Sequence, residues 1–158
     1  MGRVSARGEL MPLARLMAMA FRSLIDDLHD RLRARGITDV RPAYGFVLLY
    51  LRDHDATARE IAELMGTSKQ AASKLIGAME GAKLVRRAPH PTDGRAHRLA
   101  LTRRGARLLT TVETIYRELE DEWAEVIGAP AVASMRADLL AVLRARNDGE
   151  LPPVRPGF

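Results

Sequence analysis

Residues 57–105 read TAREIAELMGTSKQAASKLIGAMEGAKLVRRAPHPTDGRAHRLALTRRG, two short helical patterns joined by a tight turn and followed by a basic hairpin. The order is helix, turn, helix, wing. Lysine and arginine stand at positions 59, 69, 74, 83, 86, 87, 95, 98, 103 and 104, and acids only at 60, 63, 80 and 93, so the block nets +6 while the whole chain nets +5. The remaining residues together carry −1. A basic excess confined to one helix-and-hairpin module is the electrostatic footprint of a nucleic-acid reader.

The two helical patterns have start signals. Thr57 and Glu60 have the spacing of a capping box, and Gly66 closes the helix they open. Thr67 or Ser68 caps the next, with Thr67 and Gln70 repeating the capping-box spacing. On that second helix Ala71, Ala72, Leu75, Ile76 and Met79 form a packing face, leaving Ser68, Lys69, Gln70, Ser73 and Lys74 on its early turns. These are the side chains that reach base edges or phosphates from a helix in the major groove: lysine for guanine or phosphate, glutamine for adenine, serine for either. Alone, such residues are equally a solvated helix face. Arg86, Arg87, Arg95 and Arg98 on the adjacent hairpin shift the balance toward DNA.

The hairpin is expected as strands over Leu84–Arg87 and Arg95–Leu101, with Leu99 and Leu101 on one side and Arg98 and Ala100 on the other. Its tip contains Asp93, Gly94 and Arg95. Asp93 serves as an ordinary turn residue, or as an acceptor that orients Arg95 toward a narrow, electronegative minor groove.

Outside the block, Leu13, Leu16, Met17, Ala20, Phe21, Leu24, Leu28 and Leu32 recur at helical spacing within residues 9–35, and Gly36 stops that helix. Pro42 suits the first turn of a second helix, nearly all apolar from Tyr44 to Leu51. Thr102 caps a long helix, and after Gly128 and Pro130 a last helix runs to about residue 146, with Val132, Met135, Leu139, Leu140 and Leu143 inward. The proline-rich segment 147–158 reads as a flexible tail. The terminal helices carry apolar stripes wider than a small module needs, which predicts burial against a second copy, a two-fold homodimer.

At 158 residues the chain suits one domain, and 47% apolar with 28% charged residues is an ordinary globular composition. With no membrane-length apolar run and no apolar leader at the N-terminus, a cytoplasmic location and no membrane partner are expected. Zero cysteines exclude disulfides and thiolate chemistry within the chain, and 4% aromatics argue against stacking on single strands. No nucleophile elbow, phosphate loop or HExxH motif occurs, so neither catalytic residues nor a cofactor is expected. The four histidines, at 29, 54, 90 and 97, form no close pair. No metal site is therefore expected, although His29 near Asp26 and Asp30 leaves a metal-responsive regulator as an alternative.

The pattern TAREIAELMGTSKQAASKLIGAMEGAKLVRR, the wing residues Asp93-Gly94-Arg95 and the closing LALTRRG resemble the MarR family of bacterial transcription regulators, in order and at suitable spacing. The resemblance implies one domain over 1–158, mainly α with a small β-hairpin wing. Its winged helix-turn-helix would span 42–105, and its dimerisation helices 9–35 and 130–146 with part of 102–128. The expected partners are a pseudo-palindromic double-stranded operator and a second copy of the chain. The function implied is a ligand-responsive repressor, released by a small lipophilic or aromatic effector. A pocket for that effector would draw on Met17, Phe21, Tyr44 and Phe46, and on Leu48, Tyr50, Tyr116 and Trp123, each of which is equally plain core packing. A non-specific nucleoid or protein-interaction winged helix is a further alternative. The chain departs from the family at Lys83, where the turn leaving the recognition helix usually has glycine, and at Gly77 inside that helix.

Overall fold

The structure, a computed structural model, describes residues 11–89, 92 and 97–156. Two compact units divide the chain, residues 1–38 and residues 39–158.

The first unit holds α1, Leu13–Ala34. It begins after Pro12, whose fixed φ of −55° leads into the first turn; Met11 and Pro12 themselves are not helical. Gly36 ends it in the left-handed region at φ 76°, and the amide of Ile37 returns to the Leu32 carbonyl at 2.9 Å. That reach-back satisfies a carbonyl that the helix leaves open, and a side chain at φ 76° would be strained there. Ile25, Leu28 and Leu32 are buried, whereas Leu13, Leu16, Met17, Met19 and Phe21 are exposed.

The second unit contains α2 (Pro42–Asp53), α3 (Ala58–Met65), α4 (Lys69–Gly81), β1 (Val85–Pro89), β2 (His97–Leu101), α5 (Arg103–Ile127) and α6 (Ala129–Ala145). Pro42 opens α2 where its missing N–H costs nothing, and Tyr44, Val47, Leu48 and Leu51 are buried. The Thr57–Glu60 capping box closes on both sides, the Thr57 hydroxyl accepting from the Glu60 amide and the Glu60 carboxylate from the Thr57 amide. Of the two candidate caps for α4, Ser68 holds the place: its Oγ accepts from the Ala71 amide at 3.1 Å. Thr102 caps α5 by accepting from the Gly105 amide at 3.0 Å.

The strands form an antiparallel pair, with Val85 opposite Leu101, Arg87 opposite Leu99 and Pro89 opposite His97. β1 runs two residues past the expected end at Arg87 because pairing with β2 continues to Pro89. A further edge forms on β2, where Ala56 bridges Leu99. The Ala56 amide donates to the Leu99 carbonyl at 3.1 Å, and the Leu99 amide donates back at 2.6 Å. Ile61, Ile76, Met79, Leu84, Leu99 and Ile115 are among the side chains shut off from solvent, where α2, α3, α4, α5 and the hairpin pack together.

The chain bends by 117° between α5 and α6, at Gly128 with φ 91°. α6 packs on α5 yet buries none of its residues, and Met135, Leu139 and Leu143, expected to point inward, are exposed. The expectation of burial required cover that the described residues of this unit do not supply. Among the described residues no single helix is long and apolar enough to cross a membrane.

Lys83 follows α4 with φ 59°, the conformation in which glycine carries no Cβ penalty. It is exposed, so its side chain supports no core packing. Lys83→Gly is expected to raise stability by about 1 kcal/mol, read as a higher urea midpoint at constant slope.

Candidate nucleic-acid interface

The helix-turn-helix presents one face outward. Between α3 and α4 the turn is set by Gly66, left-handed at φ 59°, whose successor Thr67 donates from its amide to the Ala62 carbonyl at 3.0 Å. Ala72, Ile76 and Met79 anchor α4 in the core, and this sets the rotation of the helix about its axis. Ser68, Lys69, Gln70, Ser73 and Lys74 therefore emerge together and all five are exposed. Toward the described residues, only the Ser68 side chain among them is engaged, its hydroxyl capping the helix. Two amines, an amide and a hydroxyl are thus free to exchange water for a polar partner.

Ala71 is exposed as well, at the solvent edge of the face expected to pack. Gly77 faces open space, so its missing side chain leaves no gap in the core.

The wing residues divide into two kinds. Arg86 is exposed on β1. Arg87 is drawn back to α4, its Nε donating to the Glu80 carboxylate at 3.0 and 3.1 Å, which ties the first strand to the last turn of the helix. Arg98 turns inward on β2, where its Nη2 donates to the Asp55 carbonyl at 2.7 Å and its Nε is buried without a hydrogen-bond partner among the described residues. Arg87 and Arg98, both read from the sequence as wing cations facing DNA, each also brace the hairpin. Asp93, Gly94 and Arg95 lie outside the described residues. The Asp55 carbonyl and Glu80 were missed in the sequence because both contacts close between segments with no local motif linking them.

The joint between wing and α5 is tight. The Leu84 carbonyl accepts from the Thr102 amide and hydroxyl, both at 3.1 Å, and the same hydroxyl donates to the Lys83 carbonyl at 2.6 Å. Gly105 is buried against this joint, where a Cβ would overlap the Leu84 carbonyl oxygen. Farther along, Arg52 on α2 bridges to Glu113 on α5 at 2.8 Å. Arg104 pairs with Asp39 at 3.3 Å.

The side chains expected around an effector have different settings, each within its own unit. Tyr44 and Leu48 are core residues at 4% and 0% exposure. Phe46 and Tyr50 line a groove of about 460 Å³ at the end of α2, together with residues of the C-terminal tail. Tyr116 is half-buried on α5, and burial raises its hydroxyl pKa, so it stays protonated as a neutral donor. Trp123 is also half-buried, and Met17 and Phe21 are exposed on α1. Burial lowers the pKa of His29, with Arg33 acting in the same direction against Asp26 and Asp30. Among the described residues no three metal-ligating side chains gather.

Residues 38–96 match the model described as the MarR family. Among solved structures, the reduced form of MarR from E. coli superposes with a TM-score of 0.72 at 24% identity, covering 85% of this chain and 98% of the other. The transcriptional regulator Tm0710 from Thermotoga maritima gives 0.68 at 21%, covering 88% and 98%. A point mutant of S. aureus MepR bound to an oligodeoxyribonucleotide gives 0.59 at 23%, covering 87% and 99%. At these identities the likeness establishes a shared winged-helix fold. Among curated protein sequences, no match to the chain is found.

Proposed function

We propose, with the MarR-family segment over residues 38–96 as the premise, that the chain is a sequence-specific DNA-binding transcription regulator. The observation that carries this reading is the outward face of α4, where Lys69, Gln70, Ser73 and Lys74 stand exposed on the first two turns while Ala72, Ile76 and Met79 anchor the opposite side. A helix so presented inserts its N-terminal turns into the major groove, with the basic hairpin following the backbone or the adjacent minor groove. The oligodeoxyribonucleotide held by the MepR mutant, whose fold this chain shares, supports the same use of the module.

The assembly proposed is a two-fold dimer on a pseudo-palindromic operator. Its support is apolar surface that the chain leaves wet: Leu13, Leu16, Met17 and Phe21 on α1, and Met135, Leu139, Val142 and Leu143 on α6. Contiguous exposed apolar residues on helices of this length are the usual mark of a protein interface. The regulator acts in the cytoplasm as a repressor, and a small lipophilic or aromatic effector releases it from DNA. A tenfold release needs about 1.4 kcal/mol of coupling between effector and operator.

Sedimentation at micromolar concentration should give a dimer, and a duplex carrying an inverted repeat with half-sites about 34 Å apart should bind one dimer. Its affinity should fall steeply with added salt as lysine and arginine release counterions from phosphates. A monomer on a single half-site, or equal affinity for operator and random duplex, would sink the reading.

A further inference from the structure

The C-terminal end of α2 is covered by the far end of the chain. Phe46, Leu49, Tyr50 and His54 form one side of the groove, and Leu151, Pro152, Pro153 and Val154 form the other. Tyr50 and His54 make a flat platform, their rings stacked with centroids 5.3 Å apart and planes 26° from parallel. The imidazole is fixed at its Nδ1, which donates to the Tyr50 carbonyl at 3.3 Å. A proline pair is pre-set in an extended conformation, so it loses little freedom on docking to an aromatic surface.

The seat is shallow. Leu151 and Val154 remain 48% and 50% exposed, and among the described residues no backbone hydrogen bond joins 151–156 to the rest of the chain. A segment held only by half-wet apolar side chains opens at far lower cost than the core. Directly beyond His54 the backbone becomes the outer edge of the hairpin. Asp55 accepts from Arg98, and Ala56 exchanges two hydrogen bonds with Leu99. Whatever steadies the last turn of α2 therefore steadies the base of the wing.

We propose that the C-terminal end of α2, with Phe46, Tyr50 and the following His54, is a docking surface for a proline-rich segment. Its occupant is the chain's own Leu151–Val154, and docking braces the wing through the Asp55–Ala56 edge. Only the consequence for DNA rests on the function proposed above.

The test is the full-length double variant Leu151→Ser, Val154→Ser, followed by hydrogen exchange and operator binding. Exchange at the Ala56 and Leu99 amides should accelerate roughly tenfold while that at Ile76 and Ile115 stays unchanged, the pattern of a local rather than global loss. Operator affinity should fall about threefold or more through the loosened wing. If the tail is released, as judged by its own amide signals, and Ala56 and Leu99 exchange as before, the brace is overturned. A tail that stays seated after both substitutions overturns the assigned anchors. An acceleration that appears only above a threshold protein concentration assigns the seated segment to a second copy and overturns the intramolecular occupant. Should the unaltered protein bind no operator at all while the exchange change is present, the DNA reading fails and the docking surface stands.

Discussion

Gly105→Ala is expected to cost about 3 kcal/mol or more of folding stability. Two terms compete. Alanine in a helix interior is worth about 1 kcal/mol over glycine, which favours the variant. Against it, the new Cβ overlaps the Leu84 carbonyl oxygen and lies 3.1 Å from the carbonyl carbon and 3.4 Å from Leu101 Cδ2. Leu84 is main chain, tied by hydrogen bonds to Thr102, so no flexible side-chain end can swing aside. Repulsion wins. Gly77→Ala is the control, since nothing lies within 4 Å of its added methyl group, and there the helix term alone should stabilise by about 1 kcal/mol. Urea midpoints of the two variants should move in opposite directions from the parent. A Gly105→Ala protein as stable as the parent would mean that α5 slides away from the hairpin without penalty.

The second large effect is on recognition. Replacing both Gln70 and Lys74 by alanine should lower the preference for operator over random duplex by on the order of 100-fold, since each base-edge contact is worth about 1–3 kcal/mol. Both side chains are exposed on α4 and neither anchors the core, so the unfolding transition should stay close to the parent's. Competition binding at fixed salt measures the ratio. A uniform loss across all sequences, with a shallower salt dependence, would instead assign these two residues to phosphates.

Features that depend on a few neighbouring residues were legible in the sequence. The Thr57–Glu60 capping box, the Thr102 cap and the Gly36 and Gly66 stops each follow from chemistry confined to one turn. So does the exposed face of α4, because alternation of Ala72, Ile76 and Met79 with polar residues fixes which side packs. Even locally there was ambiguity, since Thr67 and Ser68 both offer a hydroxyl; only the observed bond to the Ala71 amide separates them. Legibility ended where partners come from distant segments. Nothing near Arg98 announces the Asp55 carbonyl 43 positions away, and nothing near Arg87 announces that Glu80 would claim it. Charge patterning counts these arginines as cations for DNA; only tertiary structure shows that each also donates within the protein. The grouping of the expected effector residues was not legible for a related reason. Apolar periodicity identifies side chains that leave water without saying which of them meet.

The uncovered face of α6 links the chain's abundance to its durability. No residue of that helix is buried, and four large apolar side chains stand in water along it. If a second copy supplies the missing cover, part of the folding free energy is bimolecular and follows mass action. A cell that lowers the level of this protein then does more than thin its number. It shifts the survivors toward half-assembled chains with wet apolar helices, the form that proteases and chaperones take first.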